Sequence, residues 1–154
     1  MEQRKDKEKI LSAGTLLFVA CWAAYCASYL GRINYTAALT AIVADGVFSK
    51  SHAGFIGTVY FFCYGAGQIF SGILGDRVSP YKMIGAGLAG TVCANIIMPL
   101  CSSSYITMSI IWGLNGIVQS MLWTPVLYII ATVLPEEQRS RACLHIASSF
   151  PIGS

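Results

Sequence analysis

Charge is scarce in this sequence. Only 11% of its 154 residues are Asp, Glu, Lys or Arg, while 55% are hydrophobic and the mean hydropathy is +0.63. Ordinary soluble domains carry about a quarter charged residues, so the chain is read as a membrane protein. Aspartate, glutamate and lysine are missing altogether from the long apolar segments, whose sole histidine is His145, near the start of the last one. Acid–base or metal-assisted catalysis would have few groups to work with, so no enzyme, cofactor or metal site is expected. The six cysteines show no C-x-x-C spacing, and five of them fall in apolar segments. They are read as small buried hydrophobes, neither a disulfide framework nor metal ligands. The net charge of +3 is not gathered into a basic patch interleaved with exposed aromatics, which argues against nucleic acid as a partner. No clear small-residue cleavage site follows the charged amino terminus, and the first apolar run is too long for a signal-peptide core, so it is kept as a span. A purely structural or assembly role stays open beside ligand handling.

What is present is a series of apolar spans. Residues 1–9 form a lead of mixed charge, expected to be solvated and disordered. The transmembrane domain, 10–154, is expected to contain spans at about 10–44, 53–75, 83–100 and 105–134, with a segment at 142–154 that is too short to cross. The fold class is all-α, a polytopic membrane helix bundle of four complete spans plus the start of a fifth, set in a lipid bilayer. Asp45-Gly46 supplies a turn, and Ser51 is the expected N-cap of the second span. Residues 75–82 and 135–141 read as charged turns, residues 101–104 as an uncharged loop, and Pro125 as a candidate kink in the fourth span. The lead and the two charged turns hold eight Lys and Arg, whereas the loops at 45–52 and 101–104 hold only Lys50. The positive-inside rule then puts the amino terminus and both charged turns in the cytoplasm. The unfinished fifth segment heads outward, so the chain is read as a fragment of a longer protein.

Between Lys9 and Asp45 the single charge is Arg32. In a helix centred near Ala27 it lies roughly 7–8 Å past the middle, still within hydrocarbon. An arginine there costs at least ~2.5–3.5 kcal/mol unless it faces a watery cavity or a partner, and intramembrane charge is by default functional. Snorkelling is the competing reading. However, Tyr25, Ser28, Tyr29 and Thr36 share its face within about 100°, while Asn34 points to the opposite side. A guanidinium fork beside tyrosine hydroxyls suits an oxyanion, either phosphate or carboxylate. On the second span Tyr60, Tyr64, Gln68 and Ser71 form one face. Phe55, Val59, Phe62, Ile69, Phe70 and Ile73 form the other, and Gly54, Gly57, Gly65, Gly67 and Gly72 are read mostly as sites of close helix packing. Trp112, Asn115, Gln119 and Trp123 share a face of the fourth span. Asn34-Tyr35-Thr36 matches a glycosylation pattern only formally, because it lies at membrane depth.

The run from Gly72 to Lys82 resembles the G-x-L-x-D-R-x-x-x-x-K signature between the second and third spans of the major facilitator superfamily. The resemblance implies that Gly72, Asp76 and Arg77 belong to a cytoplasmic gate. Tyr25-x-x-x-Tyr29-x-x-Arg32-x-Asn34, with Tyr64 and Trp123-Thr124-Pro125, is similar to the organophosphate:phosphate antiporter family over nearly the whole chain. That similarity implies a plasma-membrane secondary transporter of a small organic anion, by alternating access and in exchange for inorganic phosphate. Arg32, Tyr25, Tyr29, Tyr64, Gln68 and Trp123 would line the substrate site in the N-terminal half of the fold, and a C-terminal six-helix half would supply a second arginine. Two positions depart from the family. Gln68 stands where the glycerol-3-phosphate transporter has a lysine, and Phe150 stands where it has a histidine. The site would therefore keep one positive charge, leaving room for monoanions such as carboxylates.

Overall fold

The computed structural model describes residues 2–147, with side chains from 14 to 146. Five helices follow one another: α1 (Glu2–Ala44), α2 (Lys50–Gly75), α3 (Pro80–Leu100), α4 (Tyr105–Val133) and α5 (Glu136–Ala147). The stretches Gly14–Ala44, Lys50–Gly75, Pro80–Leu100 and Tyr105–Val133 are each long and apolar enough to cross a bilayer. The all-α reading holds. Three local readings change. Residues 2–9, expected to be disordered, continue α1 without a break. The expected charged turn at 135–141 is mostly the beginning of α5, where Glu136 and Glu137 occupy the first turn and favour its positive dipole end. The N-cap of α2 is Ser49, two residues before the serine expected, and its side chain accepts from His52 N at 3.3 Å. The fifth-span residues 148–154, including Phe150, lie outside the described residues.

Short connections set the order of helices. After α1, Gly46 takes φ +70, Gly46 N donates to Val43 O at 3.2 Å and Val47 N to Ile42 O at 3.1 Å. This is the Schellman pattern, and glycine meets the left-handed position at no steric cost. Pro80 opens α3 at a position where its missing N–H is not needed. Ser104 caps α4 by accepting from Thr107 N at 3.4 Å.

Helix α4 is the hub. Of its most apolar window 44% is buried, against 17% for α1. It packs against α2 on one side and α3 on the other. The α2 contact is close because α4 itself supplies the small residues: a Cβ on Gly116 would stand 2.5 Å from Tyr60 O and 3.1 Å from Tyr64 N. This corrects the reading of the α2 glycines. Of the five, only Gly67 meets anything within 4 Å among the described residues, namely Ser120 and Ile117 of α4. Ser71 and Ser120 join the same seam at 3.0 Å. Ser120 already donates to Ile117 O at 2.6 Å, so Ser71 is the donor between them. The cysteines also depart from expectation: Cys21 is buried, but Cys26, Cys63 and Cys101 are half-buried and Cys93 and Cys143 exposed, and all six are free.

Buried apolar residues form two clusters. One, nearer the α2–α3 turn, joins Cys21, Tyr25, Leu122, Val126, Ile129 and Ile146. The other, nearer the 45–49 and 101–104 connections, joins Tyr35, Ile56, Tyr60, Met98, Met108 and Trp112. Tyr35 is fixed there by donating its hydroxyl to Ala53 O at 2.7 Å. Arg32 lies between the clusters in sequence and in space.

Candidate functional site

Arg32 reaches from α1 towards α4. Its Nε donates to Gln119 Oε1 at 3.1 Å, and Tyr60 Oη donates to the same oxygen at 2.7 Å. Gln119 Nε2 in turn donates to Ser28 O at 3.3 Å. The guanidinium carbon stands 4.9 Å from the ring centre of Tyr29, 4.8 Å from Tyr64 and 5.6 Å from Tyr60. Cation–π attraction of this kind contributes about 0.5–2 kcal/mol per contact, more where water is excluded. No ion pair involves Arg32 among the described residues, and the spans hold no carboxylate that could form one.

Beside this charge Tyr25, Tyr29, Tyr64, Gln68 and Trp123 line an open groove of about 520 Å³. Tyr25 meets Tyr29 edge-on and Trp123 at a tilt, both with centroids 5.3 Å apart. Buried Ser28 donates to Tyr25 O at 2.7 Å and stays on the inner face. The structure thus brings together all six residues that the sequence singled out as a substrate site. Thr36, expected on the same wedge, is exposed and not among the residues that line the groove. Asn34 does point elsewhere, and its Nδ2 donates to Asn95 Oδ1 at 3.0 Å. Asn95 binds Gly31 O at 2.9 Å, tying α3 to the backbone one residue before Arg32.

Sequence reasoning missed Tyr60 and Gln119 as neighbours of the charge. Each had been placed on the polar face of its own helix, and that was the available signal. Asn115, one turn before Gln119, is fully buried with both side-chain amide atoms unpaired among the described residues, as is the Thr91 hydroxyl.

The expected gating residues form a separate group. Asp76 is the C-cap of α2, and both it and Arg77 are exposed. Gly72 and Asp76 line a small cleft with Met83, Thr124 and Tyr128. Neither Asp76 nor Arg77 makes an ion pair among the described residues. Asp76 lies eight residues beyond Gln68, the groove residue nearest to it on α2, about 12 Å along the axis, and is not among the groove's lining residues.

Membrane-length helices packed around a central one, with a cationic polar layer between two apolar clusters, define a polytopic helical membrane protein. The chain belongs to the Major Facilitator Superfamily, whose family model matches residues 21–154. It is 32% identical over 124 residues to a probable hexose phosphate transport protein of Chlamydia pneumoniae, covering 80% of this chain and 27% of the relative. It is 32% identical over 103 residues to the membrane sensor protein UhpC of Escherichia coli, covering 67% and 23%. With the glycerol-3-phosphate transporter of Bacillus subtilis it shares 30% over 130 residues, covering 80% and 29%. The chain therefore spans about a quarter of the length of the curated relatives it matches. No solved structure matches it.

Proposed function

We propose that the full-length protein is a secondary transporter in the plasma membrane. It carries a small organic anion, an organophosphate or sugar phosphate, by alternating access and in exchange for inorganic phosphate. Arg32 holds the anionic group, and Tyr25, Tyr29, Tyr64, Gln68 and Trp123 form the wall around it. The observation that carries this reading is an arginine within a membrane span, set among three tyrosine rings and beside an open groove, with no carboxylate ion-paired to it among the described residues and none in the spans. A charge so placed is costly, and an anionic ligand offsets that cost. The relatives named for hexose phosphate and glycerol 3-phosphate support the substrate class. The remaining six-helix half would complete the site from the other side of the groove.

The single cation, with Gln68 in place of a lysine, favours a second substrate reading, a carboxylate monoanion. Competition decides between the two. Uptake of radiolabelled inorganic phosphate by phosphate-loaded liposomes is expected, and a sugar phosphate should inhibit it better than acetate or lactate does. Arg32→Lys then tests the site. Lysine keeps the charge and loses the planar fork, so exchange should fall by at least about ten-fold with expression unchanged. Parental exchange by Arg32→Lys overturns the site. Phosphate binding without exchange in the parental protein would instead leave a sensor, as one relative is named.

A further inference from the structure

We infer that Gln119 is a positioning residue that decides which edge of the Arg32 guanidinium a ligand can use. The inference rests on the reading of Arg32 as the anion holder. A guanidinium offers a carboxylate or phosphate two bidentate edges: the side edge of Nε with one terminal nitrogen, and the end edge of both terminal nitrogens, Nη1 and Nη2. Here the side edge is taken, because Nε donates to Gln119 Oε1 at 3.1 Å. That oxygen also accepts from Tyr60 Oη at 2.7 Å, which fills its two lone pairs.

The amide cannot turn over. Its Nε2 donates to the backbone oxygen of Ser28 at 3.3 Å, and a flipped amide would set oxygen against oxygen there and NH₂ against two donors. Gln119 and Tyr60 are each 1% exposed and Ser28 2%, so the clamp is built from buried groups that solvent cannot substitute. With its carbon over the Tyr29 and Tyr64 rings and its Nε held by Gln119, the guanidinium is left the end edge, Nη1 and Nη2, for a ligand.

The site is therefore built for a terminal group with two adjacent oxygens on one atom, taken end-on. Neutrality at 119 is as important as shape. Glutamine supplies the acceptor without neutralising Arg32, whereas a carboxylate there would pair with the guanidinium and compete with the ligand. Tyr60 serves the same oxygen and is a second positioning residue.

The test uses the full-length protein in liposomes with inorganic phosphate as the probe, measuring equilibrium binding and the KM and kcat of exchange, with unfolding temperature as the control for folding. Gln119→Glu is nearly isosteric but loses the bond to Ser28 O, so it should lower phosphate affinity by about a hundred-fold or more in a protein that still folds, with a lowered unfolding temperature. Gln119→Met removes the clamp and keeps the charge. It should raise KM by about ten-fold with kcat held within about three-fold, a split that a merely structural residue would not give. Should Gln119→Met fail to fold, Tyr60→Phe carries the test, with KM expected to rise by about three-fold or more. Parental phosphate affinity in Gln119→Glu, or a parental KM in Gln119→Met or in Tyr60→Phe used in its place, overturns the inference. If Arg32→Lys loses binding in the same experiment, the site survives and only the clamp falls. If Arg32→Lys also binds phosphate like the parent, both fall together.

Discussion

Gly31 shows how little room the site leaves at single residues. A Cβ built there would run into the Thr91 methyl group and stand 3.3 Å from Asn95 Nδ2, and Thr91 is buried. A threonine in a helix is confined to two χ1 rotamers, and Thr91 is buried, so it has few ways to step aside. Gly31→Ala is expected to push α1 from α3 at the residue next to Arg32, costing about 1–3 kcal/mol as overpacking does. Measured on the full-length protein, it should lower both the unfolding temperature and phosphate affinity. An unchanged affinity in a folded protein would mean that the Gly31 contact does not hold Arg32 in place. Arg32 itself was legible in the sequence because it is the one charge in a long apolar run, and charge at depth has few innocent explanations. Gln119 and Tyr60 were not legible as partners. A neutral polar residue on a helix face serves packing, a ligand or another helix equally well, and only the packing shows that two such faces meet at one guanidinium.

At the scale of elements, α2 joins two regions of different character. Its middle presents Tyr60, Tyr64 and Gln68 to the polar layer and groove, while its end carries Gly72, Asp76 and Arg77 to an exposed turn. Charges at an exposed helix end can make and break ion pairs at modest cost, as a gate requires, and a gate shifts conformations without touching the ligand. Asp76→Asn in the full-length protein should therefore lower the exchange rate by about ten-fold while equilibrium phosphate binding stays within about two-fold. Equal losses in both would make the turn part of the binding site. The helices themselves were readable from hydropathy and turn residues, but their caps and packing were not. Ser49 and Ser51 are equally good cap chemistry, and the choice between them falls to the backbone conformation. The glycines of α2 looked like packing residues because the sequence cannot show that α4 brings its own small residues to the contact.

At the scale of the whole molecule, the two apolar clusters and the polar layer between them divide the bundle along the membrane normal. That layering was only half legible: each helix shows its own polar face, but only with α4 at the centre do the faces of α1, α2 and α4 come to one level. The arrangement has a direction, and charge assigns it. Among the helix ends and turns, Arg77 after α2, Lys82 in the first turn of α3 and Arg139 and Arg141 in the first half of α5 lie at one end of the bundle, while Lys50 at the start of α2 marks the other. A cytoplasmic excess of Lys and Arg orients helical membrane proteins, so the 76–82 end is proposed to face the cytoplasm. An impermeant maleimide tests this in sealed cells making the full-length protein without its native cysteines. Lys50→Cys should be labelled from outside at full extent, and Ser79→Cys only after the membrane is opened. Both positions are exposed, so neither outcome is confounded by burial. The reverse pattern would turn the bundle over, and Asp76 and Arg77 could then not serve a cytoplasmic gate. The groove beside Arg32 would keep its chemistry in either orientation, because the residues that line it do not depend on which end faces the cytoplasm.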